Sequence, residues 1–430
     1  MRHLALPFSI LLASAAWSSA PRASDVSLDE VWALVQQQQA RITALEEELQ
    51  ATKSALASTE TKLTDTRQQV RITEEQLDVT ADYITEVAES AGAGASATSI
   101  GGYGELHFND VDAEDSSRDF TELDFHRFVL FFGHEFNDRM RLVSEFELEH
   151  ALVKDTDDGS STGEVELEQA YIEYDLNENH WARSGVFLIP VGILNETHEP
   201  PTFYGVERND VENVIIPSTW WEAGIAGGGR YSNGLSWEVA VHSGLEMPTS
   251  GGSAFRVRSG RQKVSNANAD NLAYSARVRY TGVAGLELSG TFHHQSDPSQ
   301  FGDDGLDSGN LLSLHGTWQR GPFGLRALWA QWDFDGDVVE FFDADKQTGW
   351  YVEPSVKLNL GGHDWGFYTR YEDVRGARER DRFEQWEVGF NYWPTPKVVL
   401  KFDYRDREHD LASQAGRDFN AIDLGVGYQF

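Results

Sequence analysis

Apolar and polar side chains alternate in segment after segment of this chain, from residue 100 to residue 430. In the last segment, Ala421–Phe430, one set of alternate positions is Ile422, Leu424, Val426, Tyr428 and Phe430, and the other set is polar or small. Successive side chains of a β-strand point to opposite faces, so the pattern predicts strands with one apolar and one polar face. Such strands fit either the edge of a soluble β-protein or a barrel with lipid outside and water inside.

The order of the connectors favours the barrel. We count sixteen candidate strands, and the segments between them are alternately short and long. Short connectors, such as Asn137–Arg139, carry turn-forming residues, whereas long ones, such as Asp110–Asp119 and Asp333–Gln347, are mostly acidic or glycine-rich. An even strand number with this alternation is typical of bacterial outer-membrane barrels. The sequence therefore predicts an all-β transmembrane barrel of 16 antiparallel strands, wide enough to enclose an aqueous channel.

The N-terminus predicts export from the cytoplasm. Residues 1–23 combine Arg2 and His3 with the apolar run Leu4–Ala16 and a stretch of small residues, which is the layout of a secretory signal peptide. No later run approaches the ~20 apolar residues of a transmembrane helix, so any membrane crossing must be made by strands. Signal and barrel together predict an outer-membrane protein of a Gram-negative bacterium.

Composition excludes several other classes of protein. The chain has no cysteine, so it has neither disulfides nor thiolate sites. Its formal net charge of -35 argues against nucleic acid as a partner, because that binding depends on neutralising phosphates with Lys and Arg. We predict no cofactor and no metal site, and no catalytic set of Ser, His and Asp stands out, so an enzyme is not expected.

A heptad repeat occupies residues 26–90. Aliphatic side chains recur at intervals of seven residues, at Leu28, Val35, Ile42, Leu49, Leu56, Leu63, Val70, Leu77 and Ile84. A strict seven-residue repeat drifts around a straight helix unless partner helices supercoil with it, so the pattern predicts an α-helical coiled coil that self-associates. Residues 91–99 are small and predict a flexible linker to the barrel domain at residues 100–430. The coiled coil is expected in the periplasm.

The connector at residues 191–221 is long and unusually rich in large apolar and aromatic side chains for an exposed loop. In a wide barrel, such a loop is best accommodated by folding back into the lumen, where it narrows the pore. Packing against a neighbouring subunit is the alternative. The side chains expected at the constriction are Asn195, Glu196, His198, Glu199, Tyr204, Glu207 and Arg208.

Several short runs stand out here: Asn195-Glu196, Pro200-Pro201, Phe203-Tyr204, Glu207-Arg208-Asn209 and the C-terminal Phe430. With the sixteen strands, they resemble the phosphate-selective porin O/P family of outer-membrane proteins, over residues 100–430. The resemblance implies a homotrimer of barrels through which small hydrophilic solutes diffuse passively, with anions such as phosphate or small carboxylates preferred. A related group of trimeric channels has a helical periplasmic extension, and by this resemblance we expect the coiled coil to be trimeric. A terminal strand ending in Tyr428 and Phe430 also resembles the signal read by the barrel-assembly machinery.

The charges leave the ion preference open. The connector at 191–221 offers only Arg208 as a base, so the constriction lysines that the resemblance implies are missing, while Arg256, Arg258, Arg261 and Lys263 make a later connector clearly basic. Basic side chains also recur at positions expected to face the lumen: Arg127, Arg141, Arg277, Arg279, Arg326, Lys357, Arg370, Lys401 and Arg405. As a free ladder, they would conduct an oxyanion from site to site. Paired with inward carboxylates, they would give the transverse field of a general or cation-preferring porin.

Other partners and one other function are expected from the same features. Outer-membrane lipid contacts the apolar face of the barrel, and the acidic outer loops are expected to bridge to lipopolysaccharide through divalent cations. As an alternative function, the barrel serves as an anchor for envelope tethering or adhesion, and the coiled coil binds a periplasmic partner or the cell wall.

Overall fold

The computed structural model describes residues 97–153, 163–302 and 305–430, together with helical conformation at Trp32, Gln36, Gln39, Arg41 and Lys53. Contacts divide the chain into two units, Met1–Ala95 and Ser96–Phe430. The predicted signal peptide and the heptad positions from Leu28 to Ile84 lie outside the described residues, so the coiled coil stays a prediction. Across the described part of the chain, no helix is long and apolar enough to cross a membrane.

The second unit forms a closed barrel of sixteen antiparallel strands, as predicted. Each strand pairs with its neighbours in sequence, and the first strand pairs with the last. The strands are β1 (Thr98–Ala113), β2 (Phe120–Asn137), β3 (Met140–Glu149), β4 (Val165–Asp175), β5 (His180–Leu188), β6 (Trp221–Arg230), β7 (Leu235–His242), β8 (Ala273–Val283), β9 (Leu286–Gln295), β10 (Ser308–Arg320), β11 (Phe323–Asp335), β12 (Lys346–Leu360), β13 (His363–Arg375), β14 (Arg382–Thr395), β15 (Val398–His409) and β16 (Phe419–Gln429).

Short turns join the strands at one end of the barrel and longer loops join them at the other. The loops are L1 (114–119), L2 (150–164), L3 (189–220), L4 (243–272), L5 (296–307), L6 (336–345), L7 (376–381) and L8 (410–418). Several contain short helical turns, including Val211–Ile215 in L3, Val257–Gly260 in L4 and the helix α1 (Asp337–Phe341) in L6. The loop end therefore holds almost all of the irregular structure of the described barrel.

Side-chain burial alternates along the strands with the period that the sequence shows. In β16, Ala421 and Asp423 are buried, whereas Ile422, Leu424 and Val426 are exposed. The exposed set is apolar and lies on the outer surface of the barrel, while the buried set includes charged groups that face the interior. This arrangement suits lipid outside and a polar lumen inside.

Several strands are longer than the hydrophobic pattern predicts. β1 begins at Thr98, two residues before the expected domain boundary, and runs to Ala113 within the predicted connector Asp110–Asp119. The expected connector Asp333–Gln347 likewise loses residues at both ends to β11 and β12. The cause is physical: ladder hydrogen bonds join backbone groups, so pairing continues where the side chains have already become acidic.

Apolar side chains fill one side of the lumen. L3 and L4 pack against inward-facing residues of β5–β7 and β10–β12. The buried cluster includes Ile189, Val191, Val211, Ile215, Ile216 and Trp220 of L3, Leu245, Met247, Phe255 and Val257 of L4, and Phe187, Trp332 and Tyr351 of the strands. Polar space next to L3 lies instead beside β1–β4 and β15.

Candidate functional site

L3 enters the lumen through a closed neck at Asn195. The side-chain Nδ2 of Asn195 donates to the carbonyl oxygens of Ile189 at 2.7 Å and Trp220 at 3.1 Å. Its Oδ1 accepts the backbone N–H of Trp220 at 2.6 Å, and the side chain is fully buried. Because these bonds join the first and last residues of the loop, the two ends of L3 are held side by side. The strand that follows begins at Trp221, so this residue belongs to β6.

The tip of L3 is bound to strands far from its own. Lys401 Nζ donates to the Gly205 carbonyl at 2.7 Å, and the Val206 N–H donates to Asp403 Oδ2 at 2.7 Å. Tyr204 stacks on Tyr368 of β13, with ring centroids 5.0 Å apart. L3 starts and ends at β5 and β6, so these contacts with β13 and β15 carry it across the lumen.

A glycine is required at the tip. Gly205 has a φ of +89°, which is a backbone region that favours glycine. A Cβ at this position would lie 2.5 Å from a carboxylate oxygen of Glu387 in β14. The tip therefore approaches the wall more closely than any residue with a side chain would permit.

The other residues expected at the constriction tie L3 to strands in several directions. Glu196 pairs with Arg277 of β8, and His198 Nε2 lies 3.1 Å from Glu145 Oε1 of β3. Glu207 accepts a hydrogen bond from Asn109 Nδ2 of β1 at 3.0 Å. Glu199 is half-buried, and its carbonyl accepts the Thr202 N–H at 2.9 Å. Most of the expected constriction residues thus serve to hold the loop in place.

Two polar cavities adjoin L3. The first has a volume of about 400 Å³ and is lined by side chains of β1–β4, L3 and L4. The second has a volume of about 530 Å³ and extends toward Arg118 of L1, Arg380 of L7 and Arg417 of L8. His126, His150, Glu207, Arg208 and Asn213 line both cavities, so the two meet beside L3.

The nine inward-facing bases are engaged with partners. Eight of them have a carboxylate within 4.0 Å: Arg127 (Glu105 and Glu147), Arg141 (Glu173 and Asp175), Arg277 (Glu196 and Glu238), Arg279 (Glu287), Arg326 (Glu353), Lys357 (Asp364), Arg370 (Glu353 and Glu387) and Arg405 (Asp423). The ninth, Lys401, donates to the Gly205 carbonyl. These residues therefore form a paired lattice along the wall and not a ladder of free guanidiniums.

Three guanidiniums meet where L4 packs against the end of L3. Arg258 Nη1 donates to the Ser218 carbonyl at 2.6 Å, and Arg261 Nη1 donates to the Thr219 carbonyl at 2.5 Å. Arg208 Nη1 donates to Thr219 Oγ1 at 3.3 Å. Among the residues that the structure describes, none of the three forms an ion pair with a carboxylate, and all three line the first cavity. We call these residues the arginine cluster.

The electrostatics of the cluster follow from its burial. Desolvation, with the neighbouring Arg261 guanidinium adding to it, lowers the pKa of Arg258 to about 9. Arg258 and Arg261 were recognised in sequence only as part of a basic connector, because nothing local shows that this connector turns into the lumen. Its other two bases are paired, Arg256 with Asp381 and Lys263 with Glu164 and Glu166.

The C-terminal residues close the barrel. The Phe430 N–H donates to the Gly102 carbonyl at 2.8 Å, and the Gly102 N–H donates to the Phe430 carbonyl at 3.2 Å. The Phe430 ring stacks on Phe128 of β2, with centroids 6.4 Å apart. Tyr428 lies against Gly104, where a Cβ would be only 2.6 Å from the tyrosine oxygen. Recognition of these aromatics during assembly stays a prediction.

The protein is a closed sixteen-stranded barrel with an apolar outer face and a polar lumen, and a loop crosses that lumen. These features define an outer-membrane porin, which is a channel and not an enzyme. The chain belongs to the family of phosphate-selective porins O and P, whose family model matches residues 100–430. The family expected from the sequence is thereby confirmed. A relative in Aquifex aeolicus (strain VF5), described as an uncharacterized protein, is 32% identical over 340 residues, covering 71% of this chain and 74% of the relative.

Solved structures show the same fold at low sequence identity. An anion-selective porin from Comamonas acidovorans is similar with a TM-score of 0.51 and 12% identity, covering 78% of this chain and 100% of that one. The outer-membrane channel DcaP of Acinetobacter baumannii has a TM-score of 0.51 and 14% identity, and the match covers 79% of this chain and 100% of DcaP. OmpF of Salmonella typhi has a TM-score of 0.52 and 12% identity, and the match covers 77% of this chain and 97% of OmpF.

Proposed function

We propose that this porin is a passive diffusion channel for small hydrophilic anions, in particular oxyanions such as phosphate or small carboxylates. The observation that carries the proposal is the arginine cluster, in which three guanidiniums line the first cavity beside L3 without ion pairs in the described chain. An arginine presents a planar fork of donors and a weakly hydrated charge, which matches the geometry of carboxylate and phosphate.

The opposite wall of the first cavity is acidic, and its carboxylates are only partly compensated. Glu105 and Glu147 share Arg127, and Glu164 and Glu166 share Lys263. The anion preference therefore rests on the arginine cluster itself, which forms no ion pair with a carboxylate of the described residues. A small anion at the cluster offsets the repulsion among its guanidiniums, whereas a cation meets that repulsion in full.

L3 sets the size limit in this proposal. The loop is held at its neck by Asn195 and at its tip by Lys401 and Asp403. Apolar side chains fill one side of the lumen, so the polar cavities lie only on the other side of the loop. A solute passing from the loop end therefore moves through the second cavity, past Arg208, and into the first.

We also propose that the channel is a homotrimer whose coiled coil, residues 26–90, lies in the periplasm after removal of residues 1–23. Nine aliphatic residues recur at intervals of seven from Leu28 to Ile84, which supports association of the chains. An isolated helix gains nothing from a strict seven-residue repeat. The apolar outer face contacts outer-membrane lipid, and the acidic loops bridge to lipopolysaccharide through divalent cations. Loss of oligomer stability on chelation supports that bridge, and unchanged stability contradicts it.

Ion preference in a planar bilayer tests the anion proposal directly. With purified full-length protein in a gradient of potassium chloride, we expect a zero-current potential of the sign that marks chloride as the more permeant ion. Added phosphate or a small dicarboxylate should reduce the chloride current by competing at the cluster. A potential of the opposite sign overturns anion preference, and an absence of stepwise conductance overturns the channel.

A cation-preferring general porin is the second candidate, and the pairing of the wall favours it. Eight of the nine inward bases are neutralised by carboxylates, and Glu149 and Glu168 add negative charge to the first cavity. The zero-current potential in the potassium chloride gradient distinguishes the two candidates, because a cation-preferring porin requires potassium to be the more permeant ion. Deleting residues 26–90 distinguishes envelope tethering from the two channel functions. If the protein is a tether, the deletion reduces envelope cohesion but leaves the conductance of the barrel unchanged.

A further inference from the structure

We propose that Asp124, His126 and His150 form a binding site for a divalent transition-metal ion on the wall of the channel. The three donor atoms come from β2 and from the residue that follows β3, and they lie within 4.8 Å of one another. No sequence motif marks this set, because His150 is distant from the other two along the chain.

The donors converge on one point. Asp124 Oδ2 accepts a hydrogen bond from His126 Nδ1 at 3.0 Å and another from His150 Nδ1 at 2.8 Å. A tetrahedral zinc ion, with bonds of about 2.0–2.1 Å, holds its ligand atoms about 3.4 Å apart. Replacing the two shared protons by one ion therefore requires an expansion of roughly 0.5 Å, which side-chain rotation supplies.

Backbone irregularities direct the two histidines to this point. The register between β1 and β2 shifts between Glu105 and His107, so β2 carries an extra residue beside His126. Such bulges re-aim a side chain locally. His150 has a φ of +52°, uncommon for a residue with a Cβ, and its N–H donates to the His126 carbonyl at 3.2 Å. Two separate departures from regular strand geometry thus bring the rings together.

The surroundings keep one ring in place and leave the site accessible. His107 stacks on His126 with ring centroids 4.6 Å apart, and His107 is held by Glu207 at 3.0 Å. The side chains of Asp124, His126 and His150 are 22%, 26% and 43% exposed, so an ion can reach them from the lumen. Two imidazoles and one carboxylate leave a position for water or a solute anion.

The donor set selects the class of ion. Imidazole nitrogen suits zinc, copper and nickel, whereas calcium and magnesium prefer oxygen ligands alone. Because His126 and His150 line both cavities, an ion bound here sits where the two cavities meet. Occupation of the site therefore narrows the passage, and we expect it to reduce conductance.

Isothermal titration of the detergent-solubilised, full-length protein with zinc chloride tests the site. We expect one zinc ion per chain, no comparable binding of magnesium, and release by EDTA. His150→Asn and Asp124→Asn should each weaken zinc binding roughly tenfold or more, since the first replaces an imidazole nitrogen by a neutral amide and the second removes the charge of the carboxylate. His363→Asn is the matched control, because His363 is exposed at the turn end of the barrel. Heat-modifiable migration on gels shows that each variant is folded.

Two results overturn the proposal. One is the absence of zinc binding to the wild-type protein, and the other is equal zinc affinity in folded His150→Asn, Asp124→Asn and His363→Asn variants. Recording in planar bilayers tests where the zinc ion binds in the channel. Zinc should block wild-type channels reversibly and leave His150→Asn channels open. Binding without block contradicts the placement at the junction of the cavities, while the calorimetry still stands for the metal site itself.

Discussion

Lys401 in β15 donates a hydrogen bond from Nζ to the carbonyl oxygen of Gly205 at 2.7 Å, although 196 residues separate the two in sequence. The same ammonium lies 3.5 Å from the ring centroid of Phe203 and so meets the L3 tip at two points. With the neck of the loop closed by Asn195, L3 is fixed at both ends of its path across the lumen. The position of L3 in the lumen is therefore set by contacts between residues that are remote in sequence.

Lys401→Met should loosen the tip of L3. Methionine keeps the length of the side chain but removes the donor, and a hydrogen bond from a charged group is worth about 1.5–3 kcal/mol. We expect single-channel conductance to become larger and noisier in planar bilayers. Lys397→Met, at an exposed turn, is the control and should conduct like the wild type. Identical current steps in both variants would show that the tip does not limit the current.

Removing charge from the arginine cluster should change ion preference. In Arg208→Gln and Arg258→Gln, the polar contacts to Thr219 and Ser218 can remain while one positive charge is lost. We expect the zero-current potential in a salt gradient to shift toward cation preference in each variant, and further in the double variant. Lys397→Gln removes the same charge at the turn end and should leave the potential nearly unchanged. Equal shifts in all variants would mean that net charge, and not this cluster, governs permeation.

Arg405→Met should destabilise the closing strands. Arg405 donates from Nε to Asp423 Oδ2 at 2.6 Å, and the Asp423 side chain is completely buried. Removing one partner of a buried pair leaves an uncompensated charge and costs about 3–5 kcal/mol. A lower unfolding temperature, followed by gel migration after heating, is the expected result. The double variant Arg405→Met/Asp423→Asn should recover part of the loss, and no recovery would argue against pairing as the cause.

Deleting Phe430 should impair insertion of the barrel. The residue supplies two backbone hydrogen bonds to Gly102 at the seam between β1 and β16, and its ring packs on Phe128. We expect less heat-modifiable protein in the outer membrane, measured in isolated membranes at equal expression. Phe341→Ala, at a highly exposed aromatic of L6, is the control. Phe430→Ala retains the backbone bonds, so a deficit in that variant assigns the effect to the ring.

Polar substitution in the heptad core should weaken association of the chains. Leu49→Asn with Leu56→Asn places two amides in succession at the predicted core, where apolar contacts drive assembly. We expect the unheated oligomers of the variant to dissociate more readily on gels than those of the wild type, with single-barrel conductance retained. The control is Glu47→Gln with Glu48→Gln, because neither residue lies on the predicted core series. Oligomers that resist detergent as strongly as the wild type would place the association elsewhere.

Much of the architecture could be read from local patterns. Alternation in β16 and its counterparts predicted the strands, their number and the lipid-facing side, because side-chain direction in a strand depends only on position along the chain. The aromatic content of the connector that became L3 marked it as unsuited to solvent, and Phe203 and Trp220 of L3 are buried. The ends of the strands were less accurate, as at Thr98 and Ala113, because backbone pairing does not stop where hydrophobicity does.

Sequence alone thus determined a sixteen-stranded barrel of the porin class and the residue types that face its interior. Only the tertiary structure decided which charges remain free: it paired Arg277 with Glu196 of L3 and brought Arg258 of L4 to the end of L3. It likewise brought His150 to Asp124. The reason is that periodicity is a local property, whereas charge compensation depends on strand register and on loops that cross the lumen to contact distant strands.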